Sequence, residues 1–220
     1  MYFHAVIPSP LGPVLLRSDG ASLLGLYFVG QRDCPDLPGA APMRPAHFDP
    51  AAGELDGRPM RTFKVRRRDP SGDLFEALAA TDVTADDFDG GALELRQADT
   101  PESALAVFRQ TRLELSEYVH GRRRIFDIPL APEGTPFQKT VWKALLEIPL
   151  GQTVSYGELA RMAGLGTGHG RAVGAAVGHN PISIIIPCHR VLAAGGALNG
   201  YSGGLDRKAR LLEIEGFVLQ

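Results

Sequence analysis

A thiol, an imidazole and a guanidinium stand together at Cys188-His189-Arg190, directly behind Pro187 and the apolar run Ile184-Ile185-Ile186. A free cysteine titrates near ~8.5 and becomes a useful nucleophile where positive charge, a helix terminus or a base favours the thiolate. Cys-His-Arg behind a proline therefore points to nucleophilic chemistry at Cys188. The competing reading is an inert core cysteine, because free Cys is among the most buried residue types. The apolar run before it reads as a buried strand that would carry the thiol at its end.

The elements around this group have clear punctuation. Thr135-Pro136-Phe137-Gln138 is a capping box with Pro at the first helical position. It opens a helix with the apolar stripe Phe137, Val141, Leu145 and Ile148, ended by Pro149-Leu150-Gly151. Ser155-Tyr156-Gly157-Glu158 is a second capping box, opening a short helix through Met162 that stops at Gly164. A Gly-rich turn, Gly164 to Gly170, leads to a third helix, Arg171 to Val177, so a helix-turn-helix is a reasonable reading.

Further upstream, residues 2–7, 13–17 and 23–29 read as short strands separated by turn signals, which predicts an antiparallel meander. Leu105, Phe108, Leu113, Leu115 and Val119 predict a helix over 102–120 that stops at Gly121, followed by an extended segment at Phe126 to Leu130. Between about 33 and 100, Pro, Gly, Ala and Asp dominate and the charge is blocky, with acids from Asp82 to Asp89. A loop-rich or partly disordered insertion is expected there, with Arg66-Arg67-Arg68 on a solvated face.

The third helix is odd for one that reads sequence. Base discrimination in the major groove uses long polar side chains. Only Arg171 could supply one, because Ala172-Val173-Gly174-Ala175-Ala176-Val177 are small and apolar. Small residues also serve tight helix packing. Beside a reactive cysteine, they suggest close approach to DNA without sequence reading, as minor-groove proteins make.

Bulk properties narrow the classes. The chain has 220 residues, 44% of them hydrophobic and 22% charged, which suits a soluble globular protein. Its two cysteines, Cys34 and Cys188, argue against a disulfide framework and fit a reducing compartment. The N-terminus lacks a signal-peptide pattern and no apolar stretch reaches membrane-span length, so a cytoplasmic protein with no membrane partner is expected. Residues 1–100 carry 10 basic and 15 acidic side chains, whereas residues 101–220 carry 13 and 10, a weak tilt of the second half toward a polyanion.

Taken in order, these motifs resemble the O6-alkylguanine-DNA alkyltransferases, the methylated-DNA–protein-cysteine methyltransferases. The resemblance is weak over 2–32 and strong over about 101–217. It rests on Thr135-Pro136-Phe137-Gln138 with Val141-Trp142, Ser155-Tyr156, Arg171-Ala172-Val173-Gly174, Asn180-Pro181, Ile186-Pro187-Cys188-His189-Arg190-Val191 and Tyr201-Ser202-Gly203-Gly204. It implies an α+β chain. Residues 1–130 would form a ribonuclease H-like domain with antiparallel strands and the insertion, and 131–220 a helical, winged helix-turn-helix-like domain for DNA binding and alkyl transfer.

The resemblance also implies roles. Cys188 would accept the alkyl group, His189 would be its base through a water, and Glu215 would orient that imidazole. Asn180 would brace the site. Tyr156, Val191, Tyr201, Ser202 and Gly203 would hold the base, and Arg171, Ala172, Gly174 and Arg190 would meet DNA, with Arg171 as the finger filling the stack. The implied partner is double-stranded DNA containing O6-alkylguanine, with O4-alkylthymine left open, and a monomer is expected. No cofactor is implied. Cys34, His4 and His47 lack a metal-ligand spacing, so no zinc is expected. Departures include a turn before Arg171 about one residue longer than in relatives, and Ser183 where some relatives carry a second proline. The alternatives are a non-enzymatic sensor of alkylated DNA, which the presence of Cys188 disfavours, and a transcription regulator, for which residues 171–177 lack base-reading side chains.

Overall fold

Alternating apolar side chains near the N-terminus build an antiparallel meander. In this computed structural model, which describes residues 1–35, 54–55, 58–68 and 93–220, β1 (Phe3–Ile7) pairs with β2 (Val14–Ser18), and β2 with β3 (Leu23–Phe28). Side chains of successive residues point to opposite faces. Phe3, Ala5, Ile7, Leu16, Leu26 and Phe28 therefore enter the main core, while Val6, Leu15, Tyr27 and Val29 form a smaller cluster that covers Cys34. The meander expected from the sequence is present with strand ends within a residue.

Among the described residues of 33–100, short strands stand within the stretch expected to be loop-rich. A two-residue hairpin, β4 (Glu54–Leu55) with β5 (Arg58–Pro59), precedes a short 3-10 turn. Then β6 (Val65–Arg67) pairs with the C-terminal strand β10 (Phe217–Leu219), and β7 (Glu94–Leu95) adds an edge to β1. Met60 and Phe63 are buried, so this stretch contributes to the core. Arg66, Arg67 and Arg68 are exposed, as expected. The acidic stretch Asp82 to Asp89 and His47 lie outside the described residues.

Helix α1 (Glu102–Val119) packs Ala104, Val107, Phe108 and Leu115 against the main core. Leu113, expected on that stripe, is instead exposed. The apolar face follows the spacing 104, 108, 111, 115, with Thr111 satisfied on the Val107 carbonyl at 2.7 Å, and Leu113 falls opposite it. After α1, the 129–131 backbone bonds Leu23, giving a parallel bridge between Leu23 and Leu130.

The second half carries α2 (Pro136–Leu146), β8 (Val154–Ser155), α3 (Tyr156–Met162), α4 (Gly170–Gly178), β9 (Val191–Leu192) and α5 (Leu205–Ile214). Both capping boxes form: Thr135 accepts from Gln138 N, Ser155 from Glu158 N, and each glutamine or glutamate side chain answers the cap backbone. Trp142 reaches across from α2 to donate its indole N–H to the Ala176 carbonyl on α4 at 2.8 Å. Val141, Leu145, Leu159, Val173, Ala176 and Val177 join the same hydrophobic cluster as the N-terminal strands. At about 1.5–3 kcal/mol for each large side chain fully buried, this shared core couples both halves of the chain. No helix among the described residues is long and apolar enough to cross a membrane.

Candidate functional site

The edge of β3 sets the site's location. Leu26 N donates to the Pro181 carbonyl and Ser183 N donates back to the Leu26 carbonyl, at 2.8 and 2.9 Å. That pins residues 181–183 alongside the strand, one residue beyond Asn180. The run Ile184-Ile185-Ile186, read above as a strand, is instead a sequence of tight turns, with Ile186 N on the Ile182 carbonyl and Ile185 N on the Ser183 carbonyl. Ile184 sits at φ 69°, a left-handed conformation that costs a β-branched residue on the order of 1–3 kcal/mol. All three isoleucines are nonetheless buried, which is why the pattern mimics a strand.

Asn180 holds this loop from inside. Its Nδ2 donates to the Ile186 carbonyl at 2.8 Å, to the Ile182 carbonyl at 3.3 Å and to Cys188 Sγ at 3.0 Å, while its Oδ1 accepts from Ile182 N. Cys188 opens a 3-10 turn spanning Cys188–Arg190 and is 2% exposed. Burial pushes its thiol up, and the Asn180 amide, the Lys208 ammonium and nearby backbone N–H groups pull partly against that. The free protein therefore carries a thiol, which needs a base to become a nucleophile.

That base has a support. His189 Nε2 lies 2.8 Å from Glu215 Oε1, and both side chains are fully buried. With the Nε2 proton donated to the carboxylate, the lone pair is on Nδ1, which is buried and takes no protein hydrogen bond. Burial lowers His189 below the usual imidazole range, so it is neutral at pH 7. Glu215 also accepts from Tyr118 at 2.7 Å, from Gly151 N at 3.4 Å, and from Arg190 through Nε at 2.9 Å and Nη2 at 2.8 Å. Burial opposes its ionisation, but His189 and Arg190 outweigh that and hold its carboxyl at about 2.

This network corrects the expectation that Arg190 meets DNA. Its guanidinium is buried, fixed on Glu215 and on the Ile148 carbonyl at 2.6 Å, and has no surface to offer a phosphate. Arg171 and Ala172, by contrast, are exposed on the first turn of α4, with Ala175 continuing the same face and Gly174 half-buried beside it.

A pocket of about 610 Å³ reaches Cys188, lined by Tyr156, Gly174, Tyr201 and Ser202 among others. The Tyr201 hydroxyl is buried next to Ser183, and burial followed by the neighbouring Cys188 keeps it protonated far above its ordinary range. Ser202 Oγ donates to the Gly178 carbonyl at 3.1 Å, tying the pocket loop to the end of α4. A Cβ on Gly203 would lie 2.7 Å from Tyr201 and 2.9 Å from Phe28, so no larger residue fits. The Val191 carbonyl accepts from Lys208 Nζ at 2.6 Å.

Sequence reasoning missed four contributors. Gly30 and Arg32 line the pocket from the end of the meander, and Lys208 holds the carbonyls of Val191, Asn199 and Gly200. Tyr118 also enters from α1, ninety-seven residues from Glu215. Only a fold could bring these in. For Lys208, a lysine in the middle of the apolar pattern of α5 was the one available signal.

A family model described as "6-O-methylguanine DNA methyltransferase, DNA binding domain" matches residues 136–217. The methylated-DNA–protein-cysteine methyltransferase of Methanosarcina acetivorans is 53% identical over 109 residues, 50% of this chain and 69% of that protein. The crystal structure of Mycobacterium tuberculosis O6-methylguanine methyltransferase matches with a TM-score of 0.60 at 33% identity, over 98% of this chain and 93% of that one. The M. tuberculosis OGT solved in complex with DNA matches equally, with a TM-score of 0.60 at 34% identity over 96% and 91% of the two chains.

Proposed function

This chain belongs to the methylated-DNA–protein-cysteine methyltransferase family, and we propose that it repairs O6-alkylguanine in double-stranded DNA by one irreversible alkyl transfer to Cys188. The observation that carries the reading is a buried thiol lining a pocket, with an imidazole–carboxylate pair behind it and the exposed Arg171 face of α4 in the same half. On this reading residues 1–130 form a ribonuclease H-like domain and residues 131–220 a winged helix-turn-helix-like domain. The DNA-binding match over 136–217 supports that division.

A base inside a duplex cannot reach a thiol that is 2% exposed, so the alkylated nucleotide must leave the stack, at a cost of about a few kcal/mol. A damaged, poorly pairing base lowers that cost. Arg171, from the exposed face of α4, takes the vacated place in the stack, and Ala172 and Gly174 let the helix backbone approach the minor groove. Tyr156 crowds the neighbouring phosphate. The extruded base enters beside Tyr201 and Ser202.

The Cys188 proton passes through a water to Nδ1 of His189, and Glu215 balances the imidazolium that forms. Sγ bonds to the alkyl carbon as the carbon–O6 bond breaks, and the electron pair moves onto the purine. On this reading the Tyr201 hydroxyl, kept protonated by burial, donates a hydrogen bond to that purine as charge develops. The product is a thioether, and sulfur so bound is a poor leaving group. Each molecule therefore acts once.

The test is to incubate the chain with duplex DNA containing O6-methylguanine and map the modified peptide by mass spectrometry. One methyl on Cys188, absent in Cys188→Ser, is expected. Tight binding with an unmodified Cys188 would overturn the reading in favour of a sensor of alkylated DNA.

A further inference from the structure

Arg207 is 2% exposed on the first turns of α5, and its contacts join two distant parts of the chain. Nε donates to the Leu11 carbonyl, in the turn between β1 and β2, at 2.7 Å. Nη1 donates to the Gly203 carbonyl, in the pocket loop, at 2.9 Å. The guanidinium lies 4.5 Å above the Phe28 ring, and a Cβ on Gly12 would come within 3.1 Å of Nη2. Arginine stacks and bonds in this planar, bidentate way, whereas lysine offers a point charge on a flexible stem. Burial brings the guanidinium down to about 10, so it is charged at neutral pH.

The pocket is bounded on one side by Gly30 and Arg32, at the end of the meander, and on the other by Tyr201, Ser202, Gly204 and Leu205. Arg207 joins the two: it bonds the Gly203 carbonyl within the second wall and stacks on Phe28, two residues before Gly30. The next residue, Lys208, grips the start of the same loop at the carbonyls of Asn199 and Gly200, which leaves the Gly203 end to Arg207. We propose that Arg207 is a positioning residue that sets the width of the alkyl pocket, and so the size of adduct it admits, by holding the Tyr201–Gly204 wall against the N-terminal sheet. The proposal rests on the pocket being the alkyl-binding site.

Without this tie the loop is held by Lys208 at its start and by the Ser202–Gly178 bond, and nothing described ties the Gly203 carbonyl to the sheet. The wall moves outward, a methyl group is placed less precisely against Sγ, and a larger alkyl group gains room. Single-turnover rates at saturating duplex, with O6-methylguanine and with O6-benzylguanine, are measured for wild type, Arg207→Met and Arg207→Lys. The ratio of benzyl to methyl rate should rise about tenfold in Arg207→Met, the low end of what a hydrophobic pocket gives for a small size difference. Arg207→Lys, able to reach one carbonyl at a time, should fall between.

A purely structural role would lower both rates together and leave the ratio unchanged, and that result overturns the proposal. Should Arg207→Met fail to fold, Phe28→Leu decides in its place: it removes the ring under the guanidinium and should raise the same ratio, and an unchanged ratio is again fatal. If wild type transfers neither group to Cys188, the functional reading itself fails, which is a separate outcome from an unchanged ratio.

Discussion

The Tyr118 hydroxyl donates to Glu215 Oε1 at 2.7 Å, the same oxygen that lies 2.8 Å from His189 Nε2. A helix of the first half thus orients the carboxylate that orients the base. Tyr118→Phe keeps the ring, which lies 5.5 Å from Phe126, and removes only the hydroxyl. Loss of one hydrogen bond to a buried charge should cost about 1.5–3 kcal/mol of stability. Glu215→Gln should cost more, about 3–5 kcal/mol, because it leaves the Arg190 charge buried without its partner. Urea unfolding midpoints test the order, and single-turnover rates should follow it.

Asn180 is the side chain that hydrogen-bonds Cys188 Sγ. Asn180→Ala removes a donor that favours the thiolate, so the thiol should rise further and the pH profile of transfer should move to the alkaline side. It also releases the Ile182 and Ile186 carbonyls within a turn strained at Ile184, so stability should fall by at least about 2 kcal/mol. A profile that does not move, measured from pH 6 to about 9 as the thiol's range requires, would mean that Asn180 only braces the loop.

Arg171 gives the opposite pattern. It is exposed, so Arg171→Ala should change stability by no more than about 0.5 kcal/mol. Transfer from duplex DNA should nevertheless slow strongly, while reaction with free O6-methylguanine should not change. Equal slowing of both substrates would contradict a role in extruding the base. Duplex affinity should weaken with added salt through counterion release, whatever residue stands at 171.

Local signals were legible in the sequence where local chemistry decides the structure. The meander followed from alternation and turn residues, and two helix starts from capping boxes that form as written. Cys188, His189 and Asn180 come together because they are near in sequence and one loop folds around the asparagine. What pattern could not supply was side-chain direction. Arg190 shares the charge and proximity expected of a DNA contact, yet a buried carboxylate twenty-five residues away takes it. Three isoleucines in a row suggest a strand, but a left-handed residue turns them into a loop. Arg207 and Lys208 belong to a charged run at the start of α5 and are buried because six backbone and ring partners surround them. Pairing of β6 with β10 across some 150 positions leaves no periodic trace.

Acid should destabilise the protein in two stages, to both of which the buried network contributes. Burial depresses His189 below 6.5, so as pH falls through 6.5 the unfolded chain takes up a proton that the folded one refuses, and stability declines with it. Half-buried His4 is depressed by the same cause and adds to this stage. Glu215 acts lower. Its folded carboxyl titrates at about 2 against 4.5 for the free side chain, so its contribution is complete above 4.5 and is lost as pH falls toward 2. A difference of that size corresponds to about 3 kcal/mol. Thermal midpoints from pH 8 to 3 should therefore decline gently below 6.5 and steeply below 4.5 in wild type. Glu215→Gln should lose most of the steep stage, and retention of that stage would assign it to other carboxylates. Because His189 stays neutral in the folded protein, the transfer rate should hold below pH 6.5 until the folded imidazole itself is protonated. A rate that halves at 6.5 would mean that His189 titrates as an ordinary exposed histidine.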